Sequence, residues 1–210
     1  FIQPKGVVEI PDEGSIGAYI MGITPNEFGK VASLRPDLTE PYHWYQYLNL
    51  MSKAPKAFLI SSSLKKEYGL KVGDPITIRW QDQAFLDGIV YGVVDYWPTY
   101  NPNKKENSKD KSHLVVANLS YIQAKTAIEP YEVWLKKKDG ATSEQIYKSI
   151  EDNKISISKI SDASQEIIKK KNDPMLQGMN GALTLGFIVA MFISTIGFLI
   201  YWVLSIRSRA

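Results

Sequence analysis

Hydrophobic and polar positions divide this chain into two unequal regimes. From Gly181 to Ile206 the sequence GALTLGFIVAMFISTIGFLIYWVLSI carries no charge, and Arg207 and Arg209 follow almost at once. Before it, short apolar runs alternate with polar ones. The 26-residue run makes a helix of roughly 39 Å at about 1.5 Å per residue, longer than a hydrocarbon core of about 30 Å. Fourteen of the residues from Ala182 to Ile206 are Leu, Ile, Val or Phe, which favours insertion by roughly 4 to 8 kcal/mol. As a soluble core helix it would need apolar neighbours on every side, more than the remaining sequence supplies.

The other regime reads as alternating short strands and helices. Strands are expected at Val7–Ile10 and Ala18–Ile23, followed by a capping box in Thr24-Pro25-Asn26-Glu27 and a helix to about Ala32. His43–Met51 is a second helix. A strand at Ala57–Ile60 leads into a helix at Ser62–Tyr68 that Gly69 stops, a turn at Val72-Gly73-Asp74 and a strand at Pro75–Trp80. A strand at Ile89–Tyr96 follows a turn around Asp87-Gly88, with Gly92 a bulge or close-approach site. Thr99–Lys111 reads as an exposed loop. Beyond it come a strand at His113–Ala117, a helix capped by Asn118 and running to about Ala127, and a strand at Glu132–Leu135. The turn Lys138-Asp139-Gly140, a helix at Ser143–Asn153 and a strand at Ile155–Ile160 complete the series. Ser161 or Asp162, with Gln165 available for a capping box, opens a last polar helix that Pro174 kinks or restarts. The fold class expected is α+β: a mixed sheet covered by short helices with a small inserted subdomain, then a stalk helix and one transmembrane α-helix.

Charge narrows the partners. Residues 1–173 hold 23 basic and 22 acidic groups, a balance that argues against a nucleic-acid surface. Without cysteine there is neither a disulfide framework nor thiol chemistry. The opening FIQPKG has no basic n-region or apolar h-region, so a preceding transmembrane helix is expected to carry the domain across. Arg207 and Arg209 place the C-terminal end in the cytoplasm against the opposing Lys169, Lys170 and Lys171, with Tyr201 and Trp202 at the interface. Residues 1–180 are then extracytoplasmic and 207–210 cytoplasmic.

Motifs for chemistry are sparse. His43 and His113 have no ligand spacing between them, and no nucleophile elbow, phosphate loop or dinucleotide fingerprint occurs. Ser61, Ser62 and Ser63 read as helix caps, and Asn118-Leu119-Ser120 as a cap rather than a glycosylation site. No catalytic, cofactor or metal residue is expected. Gly69, Gly73 and Asp74 read as turn-specifying. Two aromatic groups, Tyr42, Trp44, Tyr45 and Tyr47, and Tyr96, Trp97 and Tyr100, are candidates for partner or lipid contact, or for core. Ala182, Gly186, Ala190 and Ser194 recur every four residues and Gly197 continues their face, which would admit a second helix closely.

The segment AFLISSSLKKEYGLKVGD, followed by ITIRW and GIVYGVVDYW, resembles the core of MacB-like extracytoplasmic domains. The helix ending in Ile206-Arg207-Ser208-Arg209 resembles the one that follows the ectodomain in FtsX-like permeases of ABC transporters. The first likeness spans about Ala57–Leu135 and the second Leu176–Arg209, with WLKKKDGATSEQIYKSIED between them similar to the family's strand and following helix. The resemblance implies an extracytoplasmic domain over 1–160 with a variable inserted lobe at 24–55, a stalk at 161–180 and a transmembrane helix at 181–206 of a bacterial cell-membrane protein. It further implies a non-catalytic permease subunit whose partners are a cytoplasmic ABC ATPase, further transmembrane helices or a second permease copy, membrane lipid, and an extracytoplasmic protein or lipid substrate. Ending at Ala210, without the family's further spans, the fragment is not expected to transport alone. The rival expectation is a membrane-tethered sensor or binding module without an ATPase.

Overall fold

Apolar alternation in the first part of the chain builds a sheet that closes on itself. A computed structural model describes residues 2–11, 13–38, 42–80, 84–103, 113–126 and 131–209. Its strands are β1 (Ile2–Ile10), β2 (Gly14–Ile23), β3 (Ala57–Ser61), β4 (Pro75–Trp80), β5 (Ala84–Val94) and β6 (Leu114–Asn118). They close in the order β1-β2-β6-β3-β5-β4. The α+β fold with a mixed sheet is as expected, and the sheet closes into a barrel. Closure comes from Val7–Glu9 of β1 pairing antiparallel with Thr77–Arg79 of β4. It removes the two edges that an open sheet would leave unpaired.

Parallel pairs β2/β6 and β3/β5 flank the antiparallel pair β3/β6, while hairpins β1/β2 and β4/β5 meet edge to edge. A pseudo-twofold relation follows: β3, its helix and the hairpin β4/β5 correspond to β6, its helix and the hairpin β1/β2. Helices α3 (Ser62–Tyr68) and α4 (Leu119–Gln123) each leave their strand without a loop, from Ser61 and Asn118.

Strand parity creates two cores. Phe58, Ile60, Val115 and Ala117 face the lumen with Val8, Ile20, Ile78, Leu86 and Val90, and Leu64 of α3 and Ile122 of α4 join them. Ala57, Leu59, Leu114 and Val116 face outward, beneath Trp44, Tyr47, Leu48 and Met51 of α2 (Trp44–Lys53). With both faces covered, β3 and β6 are buried along their whole length. The 24–55 segment, α1 (Pro25–Val31), a 3₁₀ turn at Pro36–Leu38 and α2, thus supplies the lid of the second core.

Several local expectations are corrected. Asp87-Gly88 is not a turn: β5 runs through it from Ala84, opposite Thr77 and Ile76. Gly88 is required there because a Cβ would meet the buried ring of Phe58. Gly92 sits at the β5 register shift, and a Cβ on it would lie 2.6 Å from Tyr47 Cε1. The strand ends at Val94, short of Tyr96. Thr24 makes no side-chain cap bond, and the helix begins with Pro25 as its first residue. Helix α4 ends at Gln123, while its expected end at Ala127 lies outside the described residues, as does the 104–111 part of the expected loop.

Glu132–Leu135 and Ile155–Ile160 have no regular secondary structure and belong to no ladder among the described residues. Val133 and Leu135, and Ile155, Ile157 and Ile160, are exposed. Alternation alone makes a segment compatible with a strand, and a ladder also needs a neighbouring backbone to receive its hydrogen bonds.

Residues 1–136 and 137–210 separate into two compact units. The second holds α5 (Ser143–Asp152), α6 (Ala163–Lys171) and α7 (Pro174–Arg207). Helix α5 opens on a full capping box between Thr142 and Gln145. Asp162 caps α6 by accepting the Ser164 N–H at 2.8 Å. Over the 161–180 stalk, α6 stops at Lys171 and Pro174 restarts the helix as the first residue of α7.

Candidate functional site

The aromatic residues divide by depth. Trp44, Trp97 and Tyr100 are buried in the outer core with Tyr47, whereas Tyr42 and Tyr45 are exposed and Tyr96 is half-buried. Phe28 joins the two groups, stacking on Trp97 at 6.1 Å and meeting Trp44 edge-on at 6.1 Å. Packing thus takes most of the two aromatic groups into the interior, and leaves Tyr42 and Tyr45 as the surface part. Among the described residues, the Trp97 indole N–H is buried without an acceptor. Next to it, Pro98-Thr99 forms a tight turn, closed by Tyr100 N–H donating to Trp97 O at 2.7 Å, with Thr99 at φ +77°.

A polar cluster that the sequence did not flag joins α3 to the start of β6. The Ser63 hydroxyl lies 2.8 Å from His113 Nδ1 and 2.8 Å from the Ser61 hydroxyl, and Ser61 accepts the Leu114 N–H at 3.0 Å. Glu67 Oε2 stands 3.3 Å from His113 Nε2, with Tyr68 edge-on to the imidazole. Serine, imidazole and carboxylate in line are the components of a nucleophile relay. Here the Ser63 hydroxyl is engaged by a second serine and the imidazole is buried, so the arrangement reads as a clasp. His113 and Ser63 are 50 residues apart, and short-range spacing carries no trace of their meeting. His43 is elsewhere, capping α2 through the Tyr45 N–H. Among the described residues no group of three His, Asp or Glu side chains is placed to hold a metal ion.

Turn residues of the resembling motif serve the backbone. Gly69 ends α3 at φ +67° and Gly73 sits at +102°, while Asp74 Oδ2 accepts the Lys71 N–H at 2.8 Å. Asn118 is buried, accepts the Ser120 N–H and donates to Met51 O at 3.2 Å. On the outer face of β5, Phe85, Ile89 and Tyr91 are exposed, with the charged Asp87 between the first two, and Val72 is exposed as well.

In the second unit, a knot of side chains holds the entry to α6. Lys137 Nζ donates to Ser143 Oγ at 2.8 Å and to Ser164 Oγ at 3.0 Å, and lies 3.7 Å from Asp162 Oδ1. Tyr147 donates to Asp162 Oδ2 at 3.1 Å. The Ser143 hydroxyl, then the Ser164 N–H, Tyr147 and Lys137, hold the Asp162 carboxyl well below the usual carboxylate range. Tyr147 is pushed up by desolvation and by its bond to Asp162.

Helix α7 is 34 residues long and apolar enough to cross a membrane. Its large apolar side chains, from Leu183 to Ile206, are exposed on all sides. Ala182, Gly186, Ala190, Ser194 and Gly197 lie along it, with open space around Gly186 and Gly197. Compared with protein-family models the chain matches none, and no curated protein matches it.

Proposed function

We propose that this chain is the extracytoplasmic domain, stalk and following transmembrane helix of an FtsX/MacB-like ABC transporter permease in a bacterial cell membrane. In this reading the permease is non-catalytic. It couples ATP hydrolysis by a cytoplasmic partner to export, extraction or mechanical work outside the membrane. The observation that carries the reading is the way α6 joins a pinned entry to a membrane-length helix. Its first turn is tied to Lys137, Ser143 and Tyr147 through Asp162 and Ser164, and only Asn172 and Asp173 separate its end from α7. Such a link would pass a displacement of α7 to Lys137 and α5 at the start of the second unit. The motif resemblance over Ala57–Leu135 and Leu176–Arg209 supplies the ATPase.

Exposed Phe85, Ile89 and Tyr91 on β5 favour the rival, a tethered sensor or binding module. Co-purification of the full-length protein from native membranes separates the two. A nucleotide-hydrolysing subunit recovered with it supports the permease. Recovery of the intact protein without one overturns that reading.

A further inference from the structure

Helix α6 carries more than a link. Ile167 and Ile168 are 54% and 51% exposed, although most aliphatic side chains of the first unit are buried. Lys171 follows Ile167 by four positions and Ile168 by three, so it stands between them on one helix face, and Lys170, three after Ile167, stands at the margin. Glu166 and Lys169, three apart, share the opposite side.

This face is held near the bilayer but is not part of the span. Asn172 closes α6 with its N–H on the Ile168 and Lys170 carbonyls, and Asp173 is extended and caps α7 by accepting the Met175 N–H at 2.9 Å. The chain therefore changes direction between two independently capped helices. From Pro174 to Asn180, α7 precedes the apolar run by seven residues, about 10 Å of helix. The headgroup layer on each side of the hydrocarbon is about 5 to 8 Å thick. The apolar run of roughly 39 Å fits a core of about 30 Å only when tilted, and the same tilt leaves the C-terminal end of α6 about 8 Å above the hydrocarbon, at the outer edge of the headgroups.

We propose that α6 is an interfacial helix that binds anionic lipid headgroups in the leaflet facing the extracytoplasmic domain. Ile167 and Ile168 enter the headgroup layer. Lys170 and Lys171 lay their methylene stems beside them and set their ammonium groups against lipid phosphates. Aliphatic and cationic groups on one face, at the depth α7 fixes, match an anionic bilayer surface rather than an acidic protein segment. Lipid charge then sets the pose of the helix whose other end the Asp162 knot holds. The inference rests on α7 being a span.

Because the chain has no cysteine, single nitroxide labels at Ile168→Cys and, separately, Ile188→Cys report two depths. The full chain is placed in nanodiscs of phosphatidylcholine, with and without phosphatidylglycerol. The label at 168 is expected to lose access to a water-soluble nickel chelate and gain access to oxygen, several-fold in ratio, when phosphatidylglycerol is present. Lys170→Gln with Lys171→Gln should return it to the value in phosphatidylcholine alone, while the label at 188 reports hydrocarbon throughout. Equal nickel access at 168 in both lipids, with 188 in hydrocarbon, overturns the lipid contact and leaves the span standing. Nickel access at 188 overturns the span and the contact together.

Discussion

Thr99, at φ +77°, occupies a conformation that costs a side chain with a Cβ about 1 to 2 kcal/mol. Pro98 before it suits the first central position of such a turn, and glycine would suit the second. Thr99→Gly should therefore raise the stability of the barrel unit by about 1 kcal/mol, read by urea unfolding through tryptophan fluorescence. Ser61→Ala should act in the opposite direction. It strips the buried Leu114 N–H of its acceptor and removes one arm of the Ser63–His113 clasp, for a loss of about 1 to 3 kcal/mol. Gly88→Ala would push a methyl into Phe58, and should cost about 1 to 3 kcal/mol by overpacking. The three separate strain, hydrogen bonding and packing, and a common sign for all of them would refute the assignments. Glycine at 88 looks like turn chemistry in the sequence, since a residue chosen for an absent side chain reads the same whether the chain bends or a ring lies against it.

At the scale of elements, legibility follows the range of the forces involved. Helix α3, with its strand before and Gly69 after, is set by neighbours in sequence and was readable. The reach of β1 and β2 beyond their apolar cores was not, because each extends as far as its partner strand continues. Barrel closure depends on β1 meeting β4, a pairing that no local pattern encodes. The two unladdered segments, 132–135 and 155–160, show the converse case of a strand-like pattern without a partner. The Asp162 knot gives this scale its prediction. A carboxyl held below its usual range stabilises the folded form fully above about pH 4, the unfolded value. That contribution is lost as pH falls further toward the folded value. Amide exchange across α6, corrected for intrinsic rates, should therefore quicken in acid in the wild-type chain. Asp162→Asn should start quicker at neutral pH and show a weaker acid response. An unchanged α6 in the variant would mean that the knot does not hold the helix.

For the whole molecule, the open question is whether α7 works alone. Its small residues were legible as a repeat of four, and the structure leaves Gly186 and Gly197 facing open space, which is equally the condition of a lone lipid-facing helix. Replacement separates the cases because lipid and protein neighbours respond differently to bulk. Leucine favours insertion more than glycine does, so Gly186→Leu and Gly197→Leu should leave the helix in the membrane. A lipid-filled surrounding tolerates the added side chains, whereas a helix packed against that face is driven off. If the chain is one helix of a multi-helix permease, the double variant should stay membrane-integral yet recover less of the ATPase from native membranes. Membrane retention with undiminished ATPase recovery would move the packing interface to another face of α7. Retention with no ATPase in either the variant or its parent would return α7 to the role of a tether.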